Sequence, residues 1–80
     1  MTAVLVIDDD AGLVRALQIN LAAREYRVST AHDGASGLGA AARERPDAVI
    51  VDLGLPDMDG AAVIRGVRGW SRVPIIVLSA

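Results

Sequence analysis

Cysteine and lysine are both absent from the 80-residue sequence, and each absence excludes a class of chemistry. Without cysteine the chain can form no disulfide, no thiol nucleophile and no cysteine-ligated zinc site, and we expect an intracellular setting. All eight basic residues are arginines, so the chain cannot form a Schiff base. Cysteine and lysine chemistry are therefore excluded as the basis of its function.

Long apolar runs and an excess of positive charge are also missing. No segment approaches the roughly 20 apolar residues of a membrane span, and the first ten residues turn acidic where a signal peptide would be basic. Ten acidic and eight basic residues give a formal net charge of −2, which is unlike the basic surface of a nucleic-acid-binding protein. We expect a cytoplasmic chain with no membrane contact and no direct contact with DNA.

Composition and hydrophobic spacing predict one small α/β domain. Hydrophobic residues make up 52% of the chain, which is enough for a packed core, and 80 residues exclude a multidomain enzyme. We predict strands at residues 3–7, 26–30, 47–51 and 73–78. We predict helices at residues 11–24, from Gly34 to just before Pro46, and at residues 60–68. Strands this apolar need cover on both faces, which indicates a doubly wound parallel sheet in the order βαβαβαβ.

Acidic residues follow two of the predicted strands. Asp8 and Asp9 come directly after the first strand, Asp52 ends the third and Ser79 follows the last. Chemistry in such sheets gathers at the carboxyl ends of the strands, so we expect these side chains to converge. Clustered carboxylates repel one another unless a cation or a proton lies between them. Mg²⁺ suits oxygen ligands and phosphate, and a carboxylate beside it can attack phosphorus to form an acyl phosphate.

The remaining acids and the two aromatic residues have simpler interpretations. Asp9 or Asp10 is the expected N-cap of the first helix, and Asp59 is the expected N-cap of the third. We interpret Asp57 as a turn residue and Tyr26 and Trp70 as packing residues beside strands.

Three motifs, in order, resemble the receiver domain of bacterial two-component response regulators. IDDD follows the first strand, VDLGLPDMDG surrounds the end of the third, and VLSA ends the fourth. They are most similar to the subfamily that usually precedes a winged-helix DNA-binding domain. A receiver has five strands in the order 2-1-3-4-5 and five helices. The resemblance thus implies that residues 1–80 are the N-terminal part of a single flavodoxin-like receiver domain, truncated after the fourth strand, without the fifth strand and last two helices.

The resemblance also implies roles for individual residues. Asp52 would be the phosphoacceptor, supplied by a sensor histidine kinase. Asp8, Asp9 and Asp52 would hold Mg²⁺ together with the Gly54 main-chain carbonyl, with Asp9 favoured over Asp8 as a direct ligand. Ser79 stands where the family has a switch hydroxyl that turns toward the phosphoryl group. Output would be transcription control through a DNA-binding effector domain outside these residues.

Departures from the family pattern leave alternatives open. The family has a lysine and an aromatic residue on the fifth strand, and this sequence has no lysine. One alternative is therefore a truncated receiver that binds a kinase or dimerises without being phosphorylated. A remote alternative is a magnesium-dependent phosphohydrolase of the haloacid-dehalogenase type, but that family has a second acid where this chain has Gly54. We do not expect an enzyme.

The last predicted strand would form an exposed edge of the sheet. Residues 73–78 are a hydrophobic row, and such edges pair readily with other chains. We therefore expect a homo-oligomer in which a second copy covers this edge, by edge pairing or by swapping.

Overall fold

The computed structural model describes residues 1–78, and this part of the chain forms four strands and three helices in alternation. The elements are β1 (Ala3–Ile7), α1 (Ala11–Ala23), β2 (Arg27–Ala31), α2 (Gly34–Glu44), β3 (Ala48–Asp52), α3 (Gly60–Arg68) and β4 (Ile75–Leu78). All strands pair in parallel in the order β2-β1-β3-β4. The predicted doubly wound α/β fold is confirmed. Ser79 lies outside the described residues.

Three strand starts differ from the prediction: β3 begins one residue later, at Ala48, and the starts of β2 and β4 differ for identifiable reasons. β2 begins at Arg27 because the Tyr26 N–H still donates to the Leu21 carbonyl, 3.1 Å away, at the end of α1. β4 begins at Ile75 rather than at residue 73. Pro74 accepts a hydrogen bond from Val49 but has no N–H to donate to the sheet. β1 and α3 have the predicted bounds.

The two faces of the sheet are buried under different helices. Alternate residues of β1 point to opposite faces. Leu5 and Ile7 belong to the cluster covered by α2 and α3, whereas Val4 and Val6 belong to the cluster covered by α1. All four are buried. β1 and β3 are therefore held rigidly on both faces, which fixes where their carboxyl ends lie.

Each helix begins with an aspartate that caps its N-terminus. Asp10, Asp33 and Asp59 accept a hydrogen bond from the backbone N–H three residues later, at 3.1, 2.7 and 2.8 Å. Asp10 is therefore the cap of α1, which decides between the two predicted candidates and leaves the exposed Asp9 for another role.

Tyr26 and Trp70, which were predicted to pack beside strands, are both partly exposed, at 37% and 51%. The Arg68 guanidinium donates to the carbonyl oxygens of Ser71 and Val73 and closes the turn that contains Trp70. A cavity of about 400 Å³ opens there, lined by Ala41, Arg45, Pro46, Trp70, Ser71 and Val73. Among residues 1–78, none of the helices has the length and apolar character that a bilayer span requires.

Candidate functional site

Three carboxylates meet at the carboxyl end of the sheet. Asp8 and Asp9 follow β1 and Asp52 ends β3, and these two strands are neighbours. One oxygen from each carboxylate lies within 4.8 Å of the other two. The predicted convergence of these side chains is therefore observed, whereas the roles assigned to them stay predictions.

Asp8 is the buried member of this acidic cluster. Only 3% of the residue is exposed. Its Oδ1 accepts a hydrogen bond from the Asp10 N–H at 2.9 Å, and its own N–H donates to the Ala31 carbonyl at 3.0 Å. The bond to Ala31 therefore fixes the main chain of Asp8, and the bond from the Asp10 N–H orients its carboxylate.

The other two members are more accessible to solvent. Asp52 is half-buried and Asp9 is exposed, so the cluster grades from the protein interior to the surface. The cluster therefore has one buried side, at Asp8, and one side open to solvent, at Asp9.

The loop between β3 and α3, residues 53–59, passes directly beside Asp52. A Cβ added at Gly54 would lie 3.7 Å from the Asp52 Oδ2. The loop closes where the Gly60 N–H donates to the Leu53 carbonyl at 3.0 Å. A Cβ at Gly60 would lie 2.5 Å from the Asp52 carbonyl oxygen, so only glycine lets α3 begin this close to the end of β3.

Asp57, which the sequence marked only as a turn residue, joins this loop to α2. Its two carboxylate oxygens accept hydrogen bonds from the N–H groups of Gly34 and Ala35, at 2.7 and 2.9 Å. These bonds favour the charged form and hold the pKa of Asp57 below its usual range. An N-cap residue bonds N–H groups about three residues ahead in the sequence, so Asp33 can be recognised as a cap of α2. The same rule cannot find Asp57, because its partner Gly34 lies 23 residues away.

The donor set of the acidic cluster fits magnesium. Carboxylates are hard oxygen ligands, and Mg²⁺ is usually held by one or two of them together with phosphate oxygens and water. A divalent cation would offset the charge of the buried Asp8 and the repulsion within the cluster. A half-buried carboxylate beside such an ion can also act as a nucleophile toward phosphorus.

Comparison with known proteins gives sequence relatives along the whole chain. Residues 4–80 match the family described as response regulator receiver domain. The transcriptional regulatory protein KdpE of Mycobacterium tuberculosis is 60% identical over 80 residues, which are 100% of this chain and 35% of that protein. The KDP operon transcriptional regulatory protein KdpE of Escherichia coli is 48% identical, again over 100% of this chain and 36% of that protein. The chain thus spans about a third of the length of these curated relatives.

Solved structures share the fold closely. The chemotaxis response regulator CheY4 of Vibrio cholerae superposes with a TM-score of 0.93 at 32% identity, over 96% of this chain and 67% of that one. The BeF3-activated N-terminal receiver domain of RstA from Klebsiella pneumoniae gives a TM-score of 0.93 at 28% identity, over 98% and 67%. The predicted flavodoxin-like receiver architecture is confirmed by these likenesses.

Proposed function

The chain belongs to the response regulator receiver domain family, and on this premise we propose that it accepts a phosphoryl group at Asp52 in two-component signal transduction. The observation that carries the proposal is the approach of Asp8, Asp9 and Asp52 to within 4.8 Å. Receiver domains are signalling modules, so we expect a change of phosphorylation state rather than turnover of an external substrate.

Asp52 would act as the nucleophile. One of its carboxylate oxygens forms a new bond to the phosphorus of the donor while the bond from phosphorus to the leaving atom breaks. The leaving atom is an imidazole nitrogen for a phosphohistidine or a carboxylate oxygen for a small acyl phosphate, and it departs with the bonding electron pair. Mg²⁺, when bound, offsets negative charge on the transferred group.

The other residues of the site would hold the ion and orient it. Asp8 is suited to this because its carboxylate is buried and fixed by the Asp10 N–H. Asp9 would bind from the exposed side, and the Gly54 main-chain carbonyl would complete the protein's share of the ligands. Support for Gly54 is its position beside the Asp52 carboxylate. Ser79 remains the proposed switch hydroxyl on the basis of its sequence position.

The direct test is the intact mass of the chain after exposure to a small acyl-phosphate donor, with and without Mg²⁺. We expect an added mass of one phosphoryl group that requires Mg²⁺ and is lost in Asp52→Asn. Asp47→Asn is the matched control, because Asp47 lies at the opposite end of the same strand region and binds the Ala3 N–H. An adduct that persists undiminished in Asp52→Asn would refute the site assignment.

A second candidate function is binding to a kinase, or dimerisation, without phosphorylation. The observation that favours dimerisation is the exposure of Ile76 and Val77 on β4, at 55% and 43%. It predicts no adduct from the acyl-phosphate donor together with saturable binding to a histidine kinase. A magnesium-dependent adduct at Asp52 would exclude it.

We propose that residues 1–80 form the N-terminal part of one receiver domain in a cytoplasmic transcriptional regulator. The phosphoryl donor would be a sensor histidine kinase, and a separate effector domain would contact DNA. Support comes from relatives named as transcriptional regulators, which are about three times as long as the matched region.

We also propose that the chain self-associates through β4. In the described part of the chain this strand forms one edge of the sheet. Its Ile76 and Val77 are 55% and 43% exposed. An apolar edge with free backbone N–H and C=O groups favours pairing with a second copy.

A further inference from the structure

The loop between β3 and α3 is fastened to the N-terminus of α2 by one side chain. Asp57 accepts the N–H groups of Gly34 and Ala35, the first two residues of the helix. Asp33 accepts the next one, from Ser36. The first three N–H groups of α2 are therefore satisfied by two carboxylates, one local and one supplied by the loop.

Met58 reinforces this contact. Its side chain lies over Gly34 so closely that a Cβ added there would overlap it, and it packs against the core cluster under α2 and α3. The loop therefore rests directly on the first turn of α2 through Met58, while Asp57 itself is exposed beside this contact.

The same loop carries Gly54 beside the acidic cluster. Leu55, which is 8% exposed, anchors the loop in the core, and the bond from the Gly60 N–H to the Leu53 carbonyl closes it. Only Leu55 and Pro56 separate Gly54 from Asp57. A displacement of the loop at Asp57 would therefore be transmitted to the main chain of Gly54.

We propose that Asp57 is a positioning residue that holds the Gly54 main chain at the metal site by fastening the loop to α2. This inference rests on the proposed magnesium-dependent function. Charge-assisted hydrogen bonds are stronger than neutral ones, and the two bonds use both carboxylate oxygens. Asparagine at this position keeps the shape of the side chain but offers a single acceptor oxygen, so one bond and the charge are lost.

The test compares Asp57→Asn with Asp33→Asn in the 80-residue chain. Both variants remove one negative charge from the N-terminus of the same helix. Only Asp57 joins that helix to the loop, since Asp33 bonds its own first turn at Ser36. Comparing the two variants therefore distinguishes the loss of the contact between the loop and α2 from the loss of a negative charge at the N-terminus of α2.

The first readout needs no metal. Amide hydrogen exchange of Gly60 reports opening of the loop, because its N–H donates to Leu53. We expect faster exchange of Gly60 in Asp57→Asn and parent-like exchange in Asp33→Asn. The second readout is calorimetric titration with MgCl₂. We expect the Mg²⁺ dissociation constant to rise roughly tenfold in Asp57→Asn, as for other outer partners of metal ligands, and to stay at the parent value in Asp33→Asn.

Equal rises of the dissociation constant in both variants would overturn the inference, because charge alone would explain them. An unchanged Mg²⁺ affinity in Asp57→Asn would also overturn it, while leaving the proposed function intact if the parent chain binds Mg²⁺ and is phosphorylated. A parent chain that binds no Mg²⁺ would overturn both. The failure of the fastening role is thus distinguishable from the failure of the site.

Discussion

Two glycines of α2 should respond in opposite directions to alanine, because their surroundings differ. A Cβ added at Gly37 would lie 2.7 Å from Ile7 Cδ1 and 2.8 Å from Ile7 Cγ2. Ile7 is buried and β-branched, so its side chain has little freedom to move away. At Gly39 the nearest atom is the Arg43 Nη1, 3.9 Å away at the end of a flexible side chain.

The expected magnitudes follow from two opposing effects. Replacing glycine by alanine within a helix stabilises it by about 1 kcal/mol. At Gly39 nothing opposes this gain, so the free energy of unfolding should rise by about 1 kcal/mol. At Gly37 overpacking against Ile7 costs about 1–3 kcal/mol, so the net change should be a loss of about 0–2 kcal/mol. The two variants should therefore differ by about 1–3 kcal/mol.

Urea denaturation followed by circular dichroism measures these differences. In a chain of this size each kcal/mol shifts the midpoint of thermal unfolding by about 4–8 °C, so heating gives an independent check. Adding Ile7→Val to Gly37→Ala removes Cδ1, the closest atom, and should cost less than Ile7→Val does in the parent chain. Equal stabilisation by Gly37→Ala and Gly39→Ala would refute the packing of α2 on β1 described above.

Two further predictions concern the edge strand and Asp57. Ile76→Lys should shift the chain toward monomer in light scattering at micromolar concentration. Ile19→Lys, at a similarly exposed position on α1, should leave the oligomeric state unchanged. A parent chain that is already monomeric would contradict self-association. Hydrogen bonds lower the pKa of Asp57 in the folded chain below its ordinary value of 3.8. The charged Asp57 carboxylate therefore stabilises the fold fully above pH 3.8, and this stabilisation is lost as the pH falls through the lower pKa of the folded chain. Denaturation midpoints of the parent and Asp57→Asn should therefore differ near neutral pH and converge in strong acid; a difference that does not depend on pH would contradict this account.

Much of the fold could be predicted because the buried strands are short, unbroken apolar runs in the sequence. β1 is an unbroken apolar run that ends at three aspartates, and the structure gives it the predicted bounds. The start of β2 could not be predicted from propensity, because Tyr26 favours a strand but is held by the end of α1. There, Glu25 adopts a positive φ of 67°, a local backbone choice that the sequence does not reveal.

The candidate site was predictable to the extent that it depends on strand order. Once β1 and β3 are neighbours, Asp8, Asp9 and Asp52 must share one edge of the sheet. Asp57 was not predictable, because its partners are brought close only by the packing of the loop on α2. Contacts of this kind depend on tertiary structure, whereas capping and periodicity are local.

The acids at this edge of the sheet fall into two groups, which differ in whether they cap a helix or lie close to other carboxylates. Asp10, Asp33, Asp57 and Asp59 accept N–H groups at helix N-termini, where the helix dipole favours negative charge. Asp8, Asp9 and Asp52 instead bring like charges within 4.8 Å of one another. Such repulsion opposes folding unless a counter-charge is present. The helix-capping acids need no ion, so a cation that binds this chain should be drawn to the acidic cluster, which includes Asp52, the proposed phosphoacceptor.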